Sequence, residues 1–473
     1  MNLRPSGYEP DELPDCSIPR QGAVGMPLAS ERQPYETRHT AINRRNYSIS
    51  GHTSIMAETA LELFQRAEQL NTDGNLEAAR ELLAQSSDLG HVPATYRLAI
   101  SEAAGLGGAR DRASAQRRFA AIEDAYPPAR MAHCVSLAAG WSEAENWTAA
   151  IDLEIRHAKN GDPAALIDLA MLRLLRNDAE SEGDAQALFA SALSKGASFA
   201  APALMRLHAL RDERFVVPDQ MLKALERAHY LPIGEIEIQA KSKSRPPSRP
   251  GALPNWSDLG SRLSASPETW IEQPGQMLAQ DVTAQSWSQS VHPCVCDFVA
   301  AYAAPMLAPA EIQDAVTGAP ILHPVRKALH ARIASYRQTL TIHAIERIMT
   351  ACAGLPWRHG ERLTVLFYKV GDRYAPHADY FAEGTEEDTY HMEQSGQRVA
   401  TTLLSLHAAK QGGATHFPHL DTSWNGTSGD LMTFRNLRED GAPNPVSLHE
   451  GQVVKEGWKT LASLWIRERD YWG

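Results

Sequence analysis

The strongest constraint on the fold is a repeat. Pro93-Ala94, Pro128-Ala129 and Pro163-Ala164 recur at intervals of 35 residues, with a weaker copy near Phe199-Ala200. Proline suits the first turn of a helix, where no N–H bond is lost, and the small residue beside it permits close packing. Segments such as 57–70 and 76–83 place apolar residues at i, i+3, i+4 and i+7. A period of this length belongs to helical hairpins stacked into a solenoid. Residues 56–235 are therefore predicted as an all-α helical-repeat region, against the plainer alternative of an ordinary bundle.

The flanks read differently. Residues 1–55 are rich in Pro, Arg, Ser and Asn without a sustained apolar period, which predicts a disordered extension. Met1, Met26 and Met56 are alternative starts. Residues 236–256 are predicted as a linker, because Lys241 to Pro250 packs prolines among cations and disfavours both helix and core. At 473 residues the chain exceeds one typical core, so several domains are expected. A net charge of −11 argues against a dedicated nucleic-acid binder. No apolar run of about 18 residues predicts a membrane span, and no secretory leader is read at the N-terminus. Five cysteines, an odd and sparse set, fit a reducing compartment and a cytoplasmic location. Cys294-Val295-Cys296 lacks the second ligand pair that zinc needs.

From residue 257 to 473 the texture changes. Stretches 293–307 and 328–355 read as helices, while 362–370, 399–406, 430–434 and 459–466 are short β-branched and apolar runs that read as strands. Helices followed by short strands suggest an α+β domain with a jelly-roll sandwich. Within it stands His377-Ala378-Asp379, with His449 far downstream and Lys459 ten residues beyond. In a strand, residues 377 and 379 share a face, so both can converge on one ion while a distant strand supplies His449. Two imidazoles and a carboxylate are the facial triad of non-haem Fe(II), which leaves positions open for other ligands. His391, His407, His416 and His419 compete as ligands but lack the same flanking pattern. A cation such as Lys459 suits the far carboxylate of 2-oxoglutarate, and the hydroxyls of Tyr368 and Thr415 are placed to support it.

The order of motifs sharpens this reading. Residues 284–470 resemble the catalytic domain of the prolyl 4-hydroxylase family of Fe(II)/2-oxoglutarate dioxygenases. The resemblance rests on Tyr368-x-x-Gly371-x-x-Tyr374-x-x-His377-x-Asp379-Tyr380-Phe381, Gly396-Gln397-Arg398-Val399-Ala400-Thr401 and Gly412-Gly413-Ala414-Thr415-x-Phe417-Pro418. It continues through Gly429-Asp430-Leu431-Met432-Thr433-Phe434, His449, Gly457-Trp458-Lys459 and Trp465-Ile466. It implies a double-stranded β-helix with His377, Asp379 and His449 as iron ligands and catalytic centre. It further implies that Lys459, Tyr368, Thr415 and Trp465 hold 2-oxoglutarate, and that Arg398 and Tyr374 contact substrate. Ala414 and His416 depart from the family pattern, as does Arg326-Lys327-Ala328. The repeat region similarly resembles Sel-one-like tetratricopeptide repeats, with Gly105 to Asp111 as an inter-helix turn and Ala113, Ala115 and Phe119 as packing positions.

The resemblance implies a dioxygenase that couples decarboxylation of 2-oxoglutarate, giving succinate and CO2, to hydroxylation of an unactivated C–H bond. The first expectation is a prolyl residue of a protein or peptide recruited by the repeats, with ascorbate as reductant. The alternatives are a small-molecule oxygenase and a repeat scaffold with a decayed catalytic domain. The acidic segment 382–396 is expected to form a mobile lid, whose charge reads first as a solvated loop and alternatively as a preference for a basic protein or peptide substrate.

Overall fold

The computed structural model describes residues 51–197, 200–211, 251–309, 311–313, 320–322, 328–381 and 386–472. The expected extension up to residue 50, the end of the repeat region from 212, most of the linker and the stretch containing Arg326-Lys327 lie outside them. The described chain divides into two compact units, one ending at Ala150 and one beginning at Ile151.

The first unit is helical. It comprises α1 (Gly51–Thr72), α2 (Leu76–Asp88), α3 (Val92–Ala104), α4 (Arg112–Ile122) and α5 (Pro127–Ala138). The repeated prolines occupy the first turns of α3 and α5, and the alanines beside them, Ala94 and Ala129, are fully buried. Asp111 caps α4 by accepting a bond from the Ser114 N–H at 2.8 Å. Gly107 is needed where it stands. Its φ is +67°, and a Cβ there would lie 2.1 Å from the Leu76 carbonyl oxygen. Ala67, Leu83, Ala94 and Leu98 form a shared core, and Phe119 packs on Tyr96.

Helix α6 (Trp147–Lys159) carries the division between the units. In the second unit, α7 (Pro163–Arg176), α8 (Ser181–Ser194) and α9 (Ala200–Leu210) continue the hairpin pattern. Asp162 caps α7, and here the fully buried small residue is Ala165 rather than Ala164. Every residue from Ala165 to Leu175 is buried. One side of α7 meets α8, and the other meets helices from further along the chain. Those helices are α10 (Trp256–Leu263), α11 (Pro293–Ala303) and α12 (Leu340–Cys352). The buried Asp168 carboxylate accepts from the N–H groups of Leu340 and Thr341 at 3.0 and 3.1 Å, and from the Thr341 hydroxyl. It thus caps α12 from a different helix, where free N–H groups and the helix dipole favour an anion. Arg206 pairs with Asp297 of α11 at 3.4 Å.

The strands form two facing sheets. The larger is built from β1 (Gln276–Ala279), β2 (Ala284–Trp287), β3 (Ala308–Pro309), β6 (Leu329–Arg332), β7 (Thr364–Tyr368), β9 (Arg398–His407), β13 (Leu431–Arg435) and β16 (Lys459–Arg467). Its order is β1-β2-β13-β9-β16-β7-β6-β3, with antiparallel pairing throughout. The smaller sheet runs β12 (Thr422–Trp424), β11 (Thr415–Phe417), β14 (His449–Gly451), β8 (Tyr374–His377). Two short pairs join β4 (Glu311–Gln313) to β5 (Pro320–Leu322) and β10 (Gln411–Gly412) to β15 (Val454–Glu456). Leu366, Leu403, Met432, Phe434 and Leu461 meet Tyr374, Phe417 and Trp424 between the sheets. This is the expected double-stranded β-helix. All nine residues of β16 are buried. A strand covered on both faces reads as a continuous apolar run, without the alternation of a half-exposed strand.

One expectation fails. Stretch 328–355 reads as a single helix, but Leu329–Arg332 is β6, and the helix spans only Leu340–Cys352. Pairing of β6 with β7 and β3 claims its backbone groups, and Thr339 and Asp168 fix the helix start. Tertiary pairing overrides local propensity there.

A buried carboxylate ties the large sheet together. Glu361, 1% exposed, precedes β7. It accepts from Arg398 of β9 at 2.7 and 3.0 Å, Arg467 of β16 at 3.1 Å and Arg332 of β6 at 3.3 Å. Burial alone would push its carboxyl up, but the guanidiniums of Arg398, Arg467 and Arg332 hold it at about 2. Its stabilising contribution is therefore complete above its unfolded value of 4.5 and lost as pH falls toward 2. Glu361→Gln is expected to cost about 3–5 kcal/mol at neutral pH and to flatten the acid limb of stability, measured by urea unfolding at several pH values. Asp168→Ala is expected to cost on the order of 1–3 kcal/mol per orphaned buried donor, and Asp168→Asn less, in the same measurement.

Candidate active site

Strands β8 and β14 pair so that His377 lies directly opposite His449. Their rings lie 4.3 Å apart, centroid to centroid. The Asp379 carboxylate completes the cluster. Its Oδ1 is 3.6 Å from His377 Nε2, and its Oδ2 is 3.7 Å from His449 Nε2. One donor atom from each residue lies within 4.8 Å of the others, and all three residues are buried.

The imidazoles are oriented as ligands. His377 Nδ1 lies 3.0 Å from the Ala375 carbonyl oxygen, and His449 Nδ1 lies 3.0 Å from that of Ser447. A carbonyl can only accept, so each Nδ1 donates and each Nε2 is left facing the cluster. Tyr374 stacks on the His377 ring at 3.6 Å, and Phe434 meets His449 edge-on at 4.9 Å. Burial would raise the Asp379 carboxyl, but the His449 and His377 rings and the Thr401 hydroxyl hold it below its ordinary value. Two imidazoles and a carboxylate converging on one point fit the ligand set of non-haem Fe(II).

Lys459 begins β16 opposite Tyr368 of β7. Its ammonium donates to the Gly413 carbonyl at 2.7 Å and reaches Thr415 Oγ1 at 3.4 Å, crossing from the large sheet to the small one. It sits 5.8 Å from the centre of the Tyr368 ring. Burial pushes its pKa down to about 8, and no carboxylate among the described residues pairs with it. A buried cation without an anion is costly unless a ligand supplies one. The adjoining turn needs glycine, since a Cβ on Gly412 (φ +74°) would lie 2.2 Å from the Val453 carbonyl oxygen. Trp465 is 4% exposed, and its indole N–H has no hydrogen-bond partner among the described residues.

The structure therefore gathers His377, Asp379 and His449 at one point and Lys459, Thr415 and Tyr368 at another. Arg398, expected to contact substrate, is anchored within the large sheet. Its fork is engaged by Glu361, and its plane lies 4.4 Å from the Trp465 ring and 4.7 Å from Phe381. Tyr374, the other expected substrate contact, stacks on the His377 ring. The competing histidines lie elsewhere. His391 stacks on Phe381, His407 stacks on Trp458, His416 bonds Ser423, and His419 is exposed. Cys294 and Cys296 are buried thiols in α11.

The expected lid contains a helix, α13 (Glu386–Ser395), and residues 382–385 before it are outside the described set. Its base is clamped. The Gln397 side chain accepts from the Phe381 N–H at 2.7 Å and donates to the Phe381 carbonyl at 2.9 Å. Arg467 and Arg469 donate to carbonyls of His391, Met392, Glu393 and Gly396 at the end of α13, where cations oppose the helix dipole. Sequence reading missed Glu361 and Asn436 altogether and gave Thr401 no role. The available signal was polarity inside doubly covered strands, as at Thr401, because such groups must find partners.

Comparison with known proteins agrees with this geometry. The family model of the 2OG-Fe(II) oxygenase superfamily matches residues 363–467. Prolyl 4-hydroxylase 1 of Arabidopsis thaliana is 31% identical over 205 residues, covering 39% of this chain and 71% of that protein. Among solved structures, a viral collagen prolyl hydroxylase from Paramecium Bursaria Chlorella virus-1 is 21% identical and covers 39% of this chain and 95% of its own, with a TM-score of 0.31. A Sel1 repeat protein from Oxalobacter formigenes is 20% identical, covering 44% and 87% respectively, with a TM-score of 0.32. The chain belongs to the prolyl 4-hydroxylase family of 2OG-Fe(II) oxygenases.

Proposed function

We propose that the protein hydroxylates prolyl residues of a protein or peptide, using Fe(II), 2-oxoglutarate and O2. The observation that carries this reading is the pairing of a three-residue metal cluster with a buried ammonium that has no carboxylate of its own. When bound, iron with 2-oxoglutarate supplies the oxidising power that splits O2, releases succinate and CO2, and hydroxylates the C–H bond. The chain's part is positioning. His377 and His449 present Nε2 lone pairs, and Asp379 presents a carboxylate oxygen. Lys459 receives the far carboxylate of 2-oxoglutarate, aided by Thr415 and Tyr368. The Trp465 indole N–H is a further donor for a bound oxyanion. Aromatic rings around His377 and His449 exclude water. Ascorbate is the expected reductant for iron oxidised in idle cycles.

Recruitment of a protein substrate is assigned to α1–α5. The faces of α7 are taken up by α8 and the oxygenase helices, which leaves the earlier hairpins as the repeats with a binding role to fill. Among the described residues four cysteines are free thiols, three of them buried, which supports the expected reducing, cytoplasmic setting.

His377→Ala is expected to reduce 2-oxoglutarate decarboxylation to background, read as succinate formed. Decarboxylation equal to the parent would sink the assignment. The same inactive variant, used to capture partners, should retain proteins in which the active enzyme adds one oxygen to proline, read by mass spectrometry. Lys459→Met is expected to raise KM for 2-oxoglutarate about 10- to 100-fold, from the loss of charge-assisted bonds, with a smaller change in kcat. Because Lys459 titrates at about 8, the parent's KM for 2-oxoglutarate is expected to rise as pH increases through 8 and the ammonium is lost. Lys459→Arg keeps its charge and should show no such rise.

A further inference from the structure

We propose that Thr401, its hydroxyl directed by Asn436, is a positioning residue that leaves Asp379 one carboxylate oxygen, Oδ1, for the metal. The inference rests on the iron-site reading above and deepens it.

The two oxygens of Asp379 are not equivalent. Oδ2 accepts the Thr401 hydroxyl at 2.6 Å. Oδ1 faces His377 Nε2 and receives no hydrogen bond from the described residues. A carboxylate with both oxygens free can chelate one ion and occupy two coordination positions. A carboxylate with one oxygen held in a charge-assisted bond binds through the other. The second mode keeps open the position that 2-oxoglutarate or O2 requires.

The direction of the Thr401 proton follows from the network. A threonine hydroxyl carries one proton, and an ionised carboxylate can only accept it. Thr401 Oγ1 must therefore accept from its other neighbour, the Asn436 amide nitrogen at 3.0 Å. The opposite amide orientation would set two acceptors against one proton. Asn436 is fully buried and held by its backbone, donating to the Val399 carbonyl at 3.0 Å and accepting from the Asn444 N–H at 2.9 Å. Its side-chain oxygen has no partner among the described residues. That unmet acceptor marks an amide placed for its nitrogen rather than for its own full satisfaction. Thr401 is equally rigid. It lies within β9, paired with Phe434 on one side and Trp465 on the other, and its carbonyl accepts from the Thr433 hydroxyl at 3.1 Å. Its neighbour Thr402 points to the opposite face and bonds the Met349 carbonyl of α12, so the two adjacent threonines serve different tasks.

The test is Mn(II) binding to the metal-free full chain, measured by competition with a chelating dye, for the parent, Thr401→Val, Thr401→Ser and Asn436→Ala. Valine keeps the shape and removes the hydroxyl. It is expected to weaken Mn(II) binding about 10- to 100-fold without lowering the thermal midpoint of the metal-free protein by a matching amount. Serine should bind Mn(II) close to the parent, and Asn436→Ala should fall between. If the valine variant fails to fold, Thr401→Ala carries the same comparison. Mn(II) affinity in the valine variant equal to the parent's overturns the proposal. So does a serine variant as weak as valine, since the methyl group rather than the hydroxyl would then matter. A parent that binds no Mn(II) overturns the iron site itself, an outcome distinct from a parent that binds normally and a valine variant that matches it.

Discussion

A single antiparallel register, His377 opposite His449, is what the oxygenase site depends on. Side chains in a strand alternate between faces, so a slip of one residue in either strand would turn an imidazole away from the space between the sheets. The same logic holds on the large sheet. Lys459 faces Tyr368 across β16 and β7, and Thr401 faces Trp465 across β9 and β16. Three registers therefore set the positions of His377 and His449, of Lys459 and of Thr401 together. The interleaved apolar side chains between the sheets make any slip costly, because every pair would lose its packing at once.

Buried charge is handled in two opposite ways within the same large sheet and its approach. Glu361 is surrounded by three guanidiniums and is fully compensated, so it fastens β6, β9 and β16 without need of a ligand. Lys459 has a carbonyl and a hydroxyl but no carboxylate. The first arrangement is structural. The second leaves a buried ammonium without a carboxylate among the described residues, which suits a dicarboxylate ligand. Arg398 holds Glu361 while its guanidinium packs over the rings of Phe381 and Trp465.

The later hairpins belong physically to the catalytic unit. Asp168 reaches from α7 to the open N–H groups at the start of α12, a helix that backs the large sheet through contacts such as Met349 to Thr402. A repeat helix so used is buried all round, which is why α7 lacks the polar face of a solenoid surface.

Much of this was legible in the chain itself. Spacing alone gave the hairpin starts at Pro93, Pro128 and Pro163, and motif order gave His377, Asp379, His449 and Lys459. These features are local, or recur in fixed order, so a linear reading can hold them. Strand β6 was misread because Leu329–Arg332 has no local reason to be extended, and only its neighbours β3 and β7 make it so. Arg398 was read as a substrate contact because nothing near it in sequence announces Glu361. Thr401 meets Asp379, and Asn436 meets Thr401, only after three separate chain segments are brought together. The sequence by itself determined which chemistry the chain can carry, since residue type and order decide what can bind a metal and a dicarboxylate. Tertiary structure decided how each group is oriented and compensated, because hydrogen bonds and buried charges are settled between residues that are distant in the chain.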